Sequence, residues 1–125
     1  MTDRNGVLIV EDDLDIREAL EAVLVHHGFS TFAAENGEVA LDRMRSDATR
    51  PYVILLDVVM PVMDGHELHR NLRGDPELCD IPIVLLTAHS RGDDDARAMQ
   101  ADGFLKKPCD RDTLVAMINR FCKPD

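Results

Sequence analysis

Cations are scarce in this sequence: 14 lysines and arginines stand against 24 acids, a net charge of −10. No basic run and no stripe of aromatics interleaved with cations offsets that balance, so the charge opposes a phosphate backbone and direct nucleic-acid binding by this chain is not expected. Long apolar runs are missing too. The polar start MTDRNG has no hydrophobic signal core, and the longest apolar stretches are far too short to span a bilayer. A soluble, cytoplasmic chain with no membrane partner is the expectation. Cys79, Cys109 and Cys122 form no CxxC pair, and their odd number fits reduced thiols better than a disulfide framework. No linker, repeat or low-complexity segment divides the 125 residues, so one domain over 1–125 is expected.

What is present is a set of short apolar runs with helical patterns between them. Residues 7–10, 29–33, 52–56, 81–86 and 104–105 read as strands, and the third and fourth are hydrophobic enough to be covered on both faces, as in a parallel sheet. Ile16, Ala19, Leu20, Val23 and Leu24 form a helical stripe that Gly28 can end, with His26 and His27 at its C-terminus. Gly37, Ala40, Leu41 and Met44 suggest a second helix. A third begins near Asp64–Gly65, carries Leu68 and Leu72, and stops before Gly74-Asp75-Pro76. Asp110 is a candidate N-cap for the last helix, in which Leu114, Val115, Ile118, Phe121 and Cys122 supply the apolar side. The segment 93–102, with three successive aspartates and few apolar contacts, is expected to be the least firmly held helix. Five alternations of strand and helix indicate a doubly wound α/β sheet.

In such a sheet the loops after the strands gather at one edge, where ligands usually bind. Glu11 and Asp12 follow the first run and Asp57 ends the third, in the stretch YVILLDVVMPVMDG. If those strands are neighbours, three carboxylates converge. They must then raise their pKa values, stay solvated, or hold a cation, and an all-oxygen set favours Mg²⁺ over zinc. The plain alternative is that Asp12 or Asp13 merely caps the first helix. Asp57 resists that account, because Pro61 follows and the next helix starts only near Asp64. Thr87 ends the fourth run and Lys107 the fifth; a hydroxyl and an ammonium there can meet a phosphoryl group, although each alone reads as a strand residue and a surface charge. His66 and His69, three apart, are read as exposed helix surface rather than half of a metal clip.

The motifs VLIVEDD, LLDVVMPVMDG, VLLTA and GFLKKP, in this order and spacing, make the whole chain similar to the receiver domains of response regulators, the CheY-like family of two-component signalling. The resemblance implies a (βα)5 flavodoxin-like fold, with a five-stranded parallel sheet of order 2-1-3-4-5 and helices on both faces. It implies that Asp57 accepts a phosphoryl group from a phosphohistidine on a sensor histidine kinase or histidine phosphotransfer protein. Asp12 and Asp57 would ligate Mg²⁺ directly, Glu11 would act through water, and the Val59 carbonyl would supply a further oxygen; Thr87 and Lys107 would contact the phosphoryl group.

The same resemblance implies a switch in which Thr87 moves toward the new phosphoryl oxygens and Phe104 fills the vacated space. Phenylalanine there lacks the hydroxyl of the tyrosine often found at this position, so its part is packing alone. The 93–102 segment, the fifth strand and the last helix would then meet a downstream protein target or support a phosphorylation-dependent dimer. Val59, His89 and Cys109 depart from residues frequent near such sites. The chain is not expected to be an enzyme beyond its own phosphorylation and dephosphorylation. A pseudo-receiver is disfavoured by the intact acid set. A small-molecule phosphatase or phosphotransferase is disfavoured because no second acid-base group, substrate cap or GxxxxGK[ST] loop is present.

Overall fold

The computed structural model describes residues 6–46, 50–57, 65–87, 101–106 and 110–121, with the backbone alone at residues 46, 65, 66 and 87. The described elements run β1 (Val7–Val10), α1 (Leu14–His26), β2 (Thr31–Ala34), α2 (Gly37–Ser46), β3 (Val53–Asp57), α3 (Gly65–Arg73), β4 (Ile83–Thr87), β5 (Gly103–Lys106) and α4 (Arg111–Asn119). The expected helix at 93–102 lies outside the described residues over 93–100. The strands form one parallel sheet of order β2-β1-β3-β4-β5, as expected from the motif resemblance.

Alternation along the strands sorts the core into two layers. Leu8, Val10, Ile54, Leu56, Ile83 and Leu85 face Ala40, Leu41 and Met44 of α2 and Leu68 and Leu72 of α3. Val7, Ile9, Val53, Leu55, Val84, Leu86 and Leu105 face Leu20 and Leu24 of α1 and Leu114 and Ile118 of α4. Both faces of the central strands are therefore covered, which is why their sequences are continuous apolar runs. Every residue of β1 and β3 is buried, and burial of each leucine or isoleucine side chain contributes roughly 1.5–3 kcal/mol. Ala19, expected in the α1 stripe, is exposed instead; Leu20 and Leu24 are the buried residues of that helix.

Local chemistry sets the element ends. Asp13 caps α1 by accepting from Ile16 N at 3.1 Å. At the other end Gly28, with φ of 90°, turns the chain out of the helix: its N–H donates to Val25 O at 3.0 Å and Phe29 N donates to Leu24 O at 3.0 Å. This paired bonding is the Schellman arrangement, and its accompanying apolar contact is Phe29 in the layer that holds Leu24. Phe29 is thus buried by a helix end and not by β2, which begins two residues later than the apolar run implies. The run at 81–86 likewise starts with a turn: Ile81 N donates to Leu78 O, and β4 begins only after Pro82, which has no N–H for a ladder. Asp110 caps α4, accepting from Thr113 N at 2.7 Å.

A bridge that the apolar pattern does not announce ties β4 to the chain entering β5. Asp102 N donates to Ile83 O at 2.8 Å while Ile83 N donates to the Asp102 carboxylate at 2.8 Å. Arg73, at the end of α3, lies 3.6 Å from that carboxylate and also donates to the carbonyls of Cys79 and Ile81. Asp102, expected as a helical residue, sits in a bend before β5 because its backbone and side chain are both committed to Ile83.

Candidate functional site

Sheet register decides which side chains meet at the C-terminal edge. Val10 is paired with Leu56, so Glu11 stands one step further along, level with Asp57, which is itself paired with Leu86. Glu11 N continues the β1–β2 ladder by donating to Ala34 O at 3.1 Å. By strand alternation Glu11 follows Val7 and Ile9, and Asp57 follows Val53 and Leu55, so both acids belong to the face covered by α1 and α4. Both are buried, at 2% and 7% exposure, whereas Asp12 is exposed. One carboxylate oxygen from each of Glu11, Asp12 and Asp57 lies within 4.8 Å of the others.

That separation fits a small hard cation. Opposite ligands of Mg²⁺ stand about 4.2 Å apart, twice its metal–oxygen distance, so a spread up to 4.8 Å fits one ion held directly by some of the acids and through water by another. No nitrogen or sulfur donor belongs to the trio, which sets it apart from zinc sites. Two acids buried at this spacing would otherwise repel at short range in a poorly screened setting.

The capping question left open at Glu11-Asp12-Asp13 has a structural answer. Asp13 takes the α1 cap, so the helix start makes no demand on Asp12, whose carboxylate stays with the trio. Asp57 is the last residue of β3 and needs no helix to explain it. The neighbouring main chain is also fastened. Asp13 N donates to Glu11 Oε1 at 3.3 Å, and Arg17 Nη1 donates to the Glu11 carbonyl at 2.8 Å. Arg17 was not marked by any motif; its place in the first turn of α1, six residues after Glu11, is the signal that could have found it.

The remaining candidates are distributed as follows. Thr87 ends β4, with its Cα paired with that of Lys106, one step beyond the level of Asp57. Phe104 pairs with Leu85, is half-buried, and packs against the α2/α3 layer. Lys106 is exposed. Val59, Lys107, His89, Cys109 and Cys122 lie outside the described residues, as do the side chains of Thr87 and His66. His69 is half-buried in α3, so the expectation of an exposed histidine does not hold for it. Cys79 is a free thiol, in keeping with reduced cysteine.

Comparison with known proteins agrees with the motif reading. The family model for the response regulator receiver domain matches residues 7–119. The response regulator MprA of Mycobacterium tuberculosis is 38% identical over 124 residues, which cover 95% of this chain and 52% of that protein. The chain therefore spans about half the length of the curated relatives it matches. The chemotaxis protein CheY4 of Vibrio cholerae superimposes with a TM-score of 0.84 at 30% identity, covering 96% of this chain and all of that one. The response regulator TrrA of Thermotoga maritima, solved in complex with Mg²⁺ and BeF, superimposes with a TM-score of 0.81 at 31% identity, covering 93% and 97% of the two chains.

Proposed function

This chain belongs to the response regulator receiver domain family, the regulatory phosphoacceptor domains of two-component signalling, and from that premise we propose that Asp57 is the residue that takes the phosphoryl group. The observation that carries the assignment is the meeting of Asp57, Glu11 and Asp12 at one sheet edge, with Asp57 at the end of a fully buried strand. The donor is a phosphohistidine on a sensor histidine kinase or a histidine phosphotransfer protein. A carboxylate oxygen of Asp57 forms the new O–P bond as the donor's P–N bond breaks, and the electron pair returns to the imidazole nitrogen. The β3 backbone holds the nucleophile, so little motion has to be frozen out at the moment of transfer.

Asp12 and Asp57 would hold Mg²⁺ directly, Glu11 would hold it through water, and the Val59 carbonyl would add an oxygen. When bound, Mg²⁺ supplies positive charge to offset the charge on the transferring oxygens. The hard-oxygen composition of the trio supports this choice, as does the Mg²⁺ complex of TrrA. Lys107 neutralises a phosphoryl oxygen and Thr87 donates its hydroxyl to another. The register of β4 and β5, which sets Thr87 beside Lys106, supports a shared position at that edge. Self-phosphorylation from small phosphodonors and self-dephosphorylation complete the chemistry; turnover of an independent metabolite is not part of it.

The switch couples Thr87 to Phe104, whose half-buried ring on the edge strand can repack inward but carries no hydroxyl to bond. The output surface comprises the 93–102 segment, β5 and α4. It is supported by the edge position of β5 and by the exposed Asp112 and Ala116 on α4 and Arg120 just after it. A downstream protein or a second copy of the domain occupies it after phosphorylation. Among the described residues no helix is long and apolar enough to cross a membrane. A cytoplasmic setting, where a kinase and reduced thiols meet, belongs to the same reading. Incubation with Mg²⁺ and acetyl phosphate followed by intact mass measurement tests it: one phosphoryl adduct is expected, absent from Asp57→Asn. An adduct that persists in that variant, or none in the parent chain, rejects the assignment.

A further inference from the structure

The exposed acid of the trio is the one whose position most needs explaining. Glu11 and Asp57 are walled in by the core, but Asp12 projects into solvent just after β1 has ended, so packing does not hold its side chain. Its backbone is nevertheless fixed on both sides. The peptide before Asp12 carries the Glu11 carbonyl, which accepts from Arg17 Nη1 at 2.8 Å. The peptide after it carries the Asp13 N–H, which donates to Glu11 Oε1 at 3.3 Å. One residue back, Glu11 N is held by Ala34 O at 3.1 Å. Arg17 in turn is rooted in α1, its own N–H donating to the Asp13 carbonyl at 2.9 Å.

Resting on the Mg²⁺ reading above, we propose that Arg17 is a positioning residue for the cation site: its guanidinium fixes the Glu11–Asp12 peptide and thereby aims the Asp12 carboxylate at Asp57. A guanidinium suits the task because it stays charged at any working pH and makes a charge-assisted bond to a carbonyl. Its charge and its bond act on cation binding with opposite sign. A fixed positive charge beside the trio repels Mg²⁺, so deleting the charge alone would tighten binding. Deleting the bond loosens Asp12, which must then be ordered when the ion arrives, and binding weakens. The geometry favours the second effect, because the bond is short and lands on the peptide that carries the ligand residue, which gives the experiment a sign to read.

Mg²⁺ affinity is measured by titration calorimetry on the whole chain for the parent, Arg17→Met, Arg17→Lys and Asp12→Ala. Arg17→Met is expected to bind Mg²⁺ about tenfold more weakly, the lower end of the range for losing a group that orients a metal ligand. Arg17→Lys, which keeps charge and one donor, is expected to recover part of that loss. Amide NMR spectra of the metal-free proteins provide the second readout: Arg17→Met should remain folded, with shifts concentrated at Asp12 and Asp13. Unchanged or tighter Mg²⁺ binding in a folded Arg17→Met overturns the positioning role while leaving the acid trio intact. A parent chain that binds no Mg²⁺, or that binds as well without the Asp12 carboxylate, removes the underlying reading and this inference with it.

Discussion

Replacing Asp57 by asparagine should make the metal-free protein more stable and the Mg²⁺-loaded protein no better off. The carboxylate oxygens of Glu11, Asp12 and Asp57 lie within 4.8 Å of one another. At that distance a like-charge pair repels by about 3.5 kcal/mol at an effective dielectric constant near 20, and by about 0.9 kcal/mol in water. The Glu11–Asp57 pair is buried and belongs toward the first figure; exposed Asp12 belongs toward the second. Asparagine keeps the shape of Asp57 and an accepting Oδ1 while removing the charge. After allowance for the bonds it does lose, the net gain is set at about 1–3 kcal/mol, on the scale expected for relieving one buried repulsion. Thermal denaturation in EDTA at low salt should show this as a rise of several degrees, and added NaCl should shrink the part owed to Asp12. Mg²⁺ at a hundred times its dissociation constant should stabilise the parent by about 2.7 kcal/mol and the variant by much less. If Asp57→Asn is less stable than the parent in EDTA and responds equally to Mg²⁺, the three acids neither repel nor share a cation as argued.

Three further outcomes follow from the described geometry. Asp102→Ala removes the acceptor for the buried Ile83 N–H and should cost about 1–3 kcal/mol in urea denaturation, with Asp102→Asn recovering most of it; a loss below about 0.5 kcal/mol would mean the bridge adds little to folding stability. Gly6 has φ of 77°, and an added Cβ would lie 2.7 Å from Ser30 O, so Gly6→Ala should lower stability by more than about 1 kcal/mol; an unchanged urea midpoint would contradict that conformation. Asp110 should titrate below the ordinary aspartate range, because the Thr113 hydroxyl and then the Thr113 N–H favour its charged form. Its folded pKa is depressed, so its support for α4 is present above the ordinary carboxylate pKa and fades as pH falls through the folded value. Carboxyl NMR titration of Asp110 should show the low midpoint, and Thr113→Ala should raise it.

Much of the fold was legible because both of its layers leave a mark on single strands. A strand covered on two faces must be apolar at successive positions, and Val7–Val10 and Val53–Leu56 are. Where burial had another cause the same signal misled: Phe29 is buried by the turn after α1 and Ile81 by the turn before Pro82, so both runs began too early. Asp110 could be read as a cap from its place alone, since that bond is local. Asp13 and Asp12 could not be told apart by residue type, since both are aspartates beside the helix start; the bond from Ile16 N gives Asp13 the cap, while strand pairing sets Asp12 beside Asp57, forty-four residues beyond Asp13.

Sequence alone determined the alternation of elements, the acids and the order of motifs, since each depends on neighbours along the chain or on residue types gathered in one short stretch. Tertiary structure decided what those residues do to one another. Pairing of β1 with β3 puts Glu11 level with Asp57, and a shift of one residue would have turned one acid to the opposite face. The reach of Arg17 back to Glu11 and the closure of Asp102 on Ile83 were likewise invisible in the pattern. Such bonds join polar groups whose partner is set by the direction of a helix or the register of a sheet, and hydrophobic periodicity carries no trace of either.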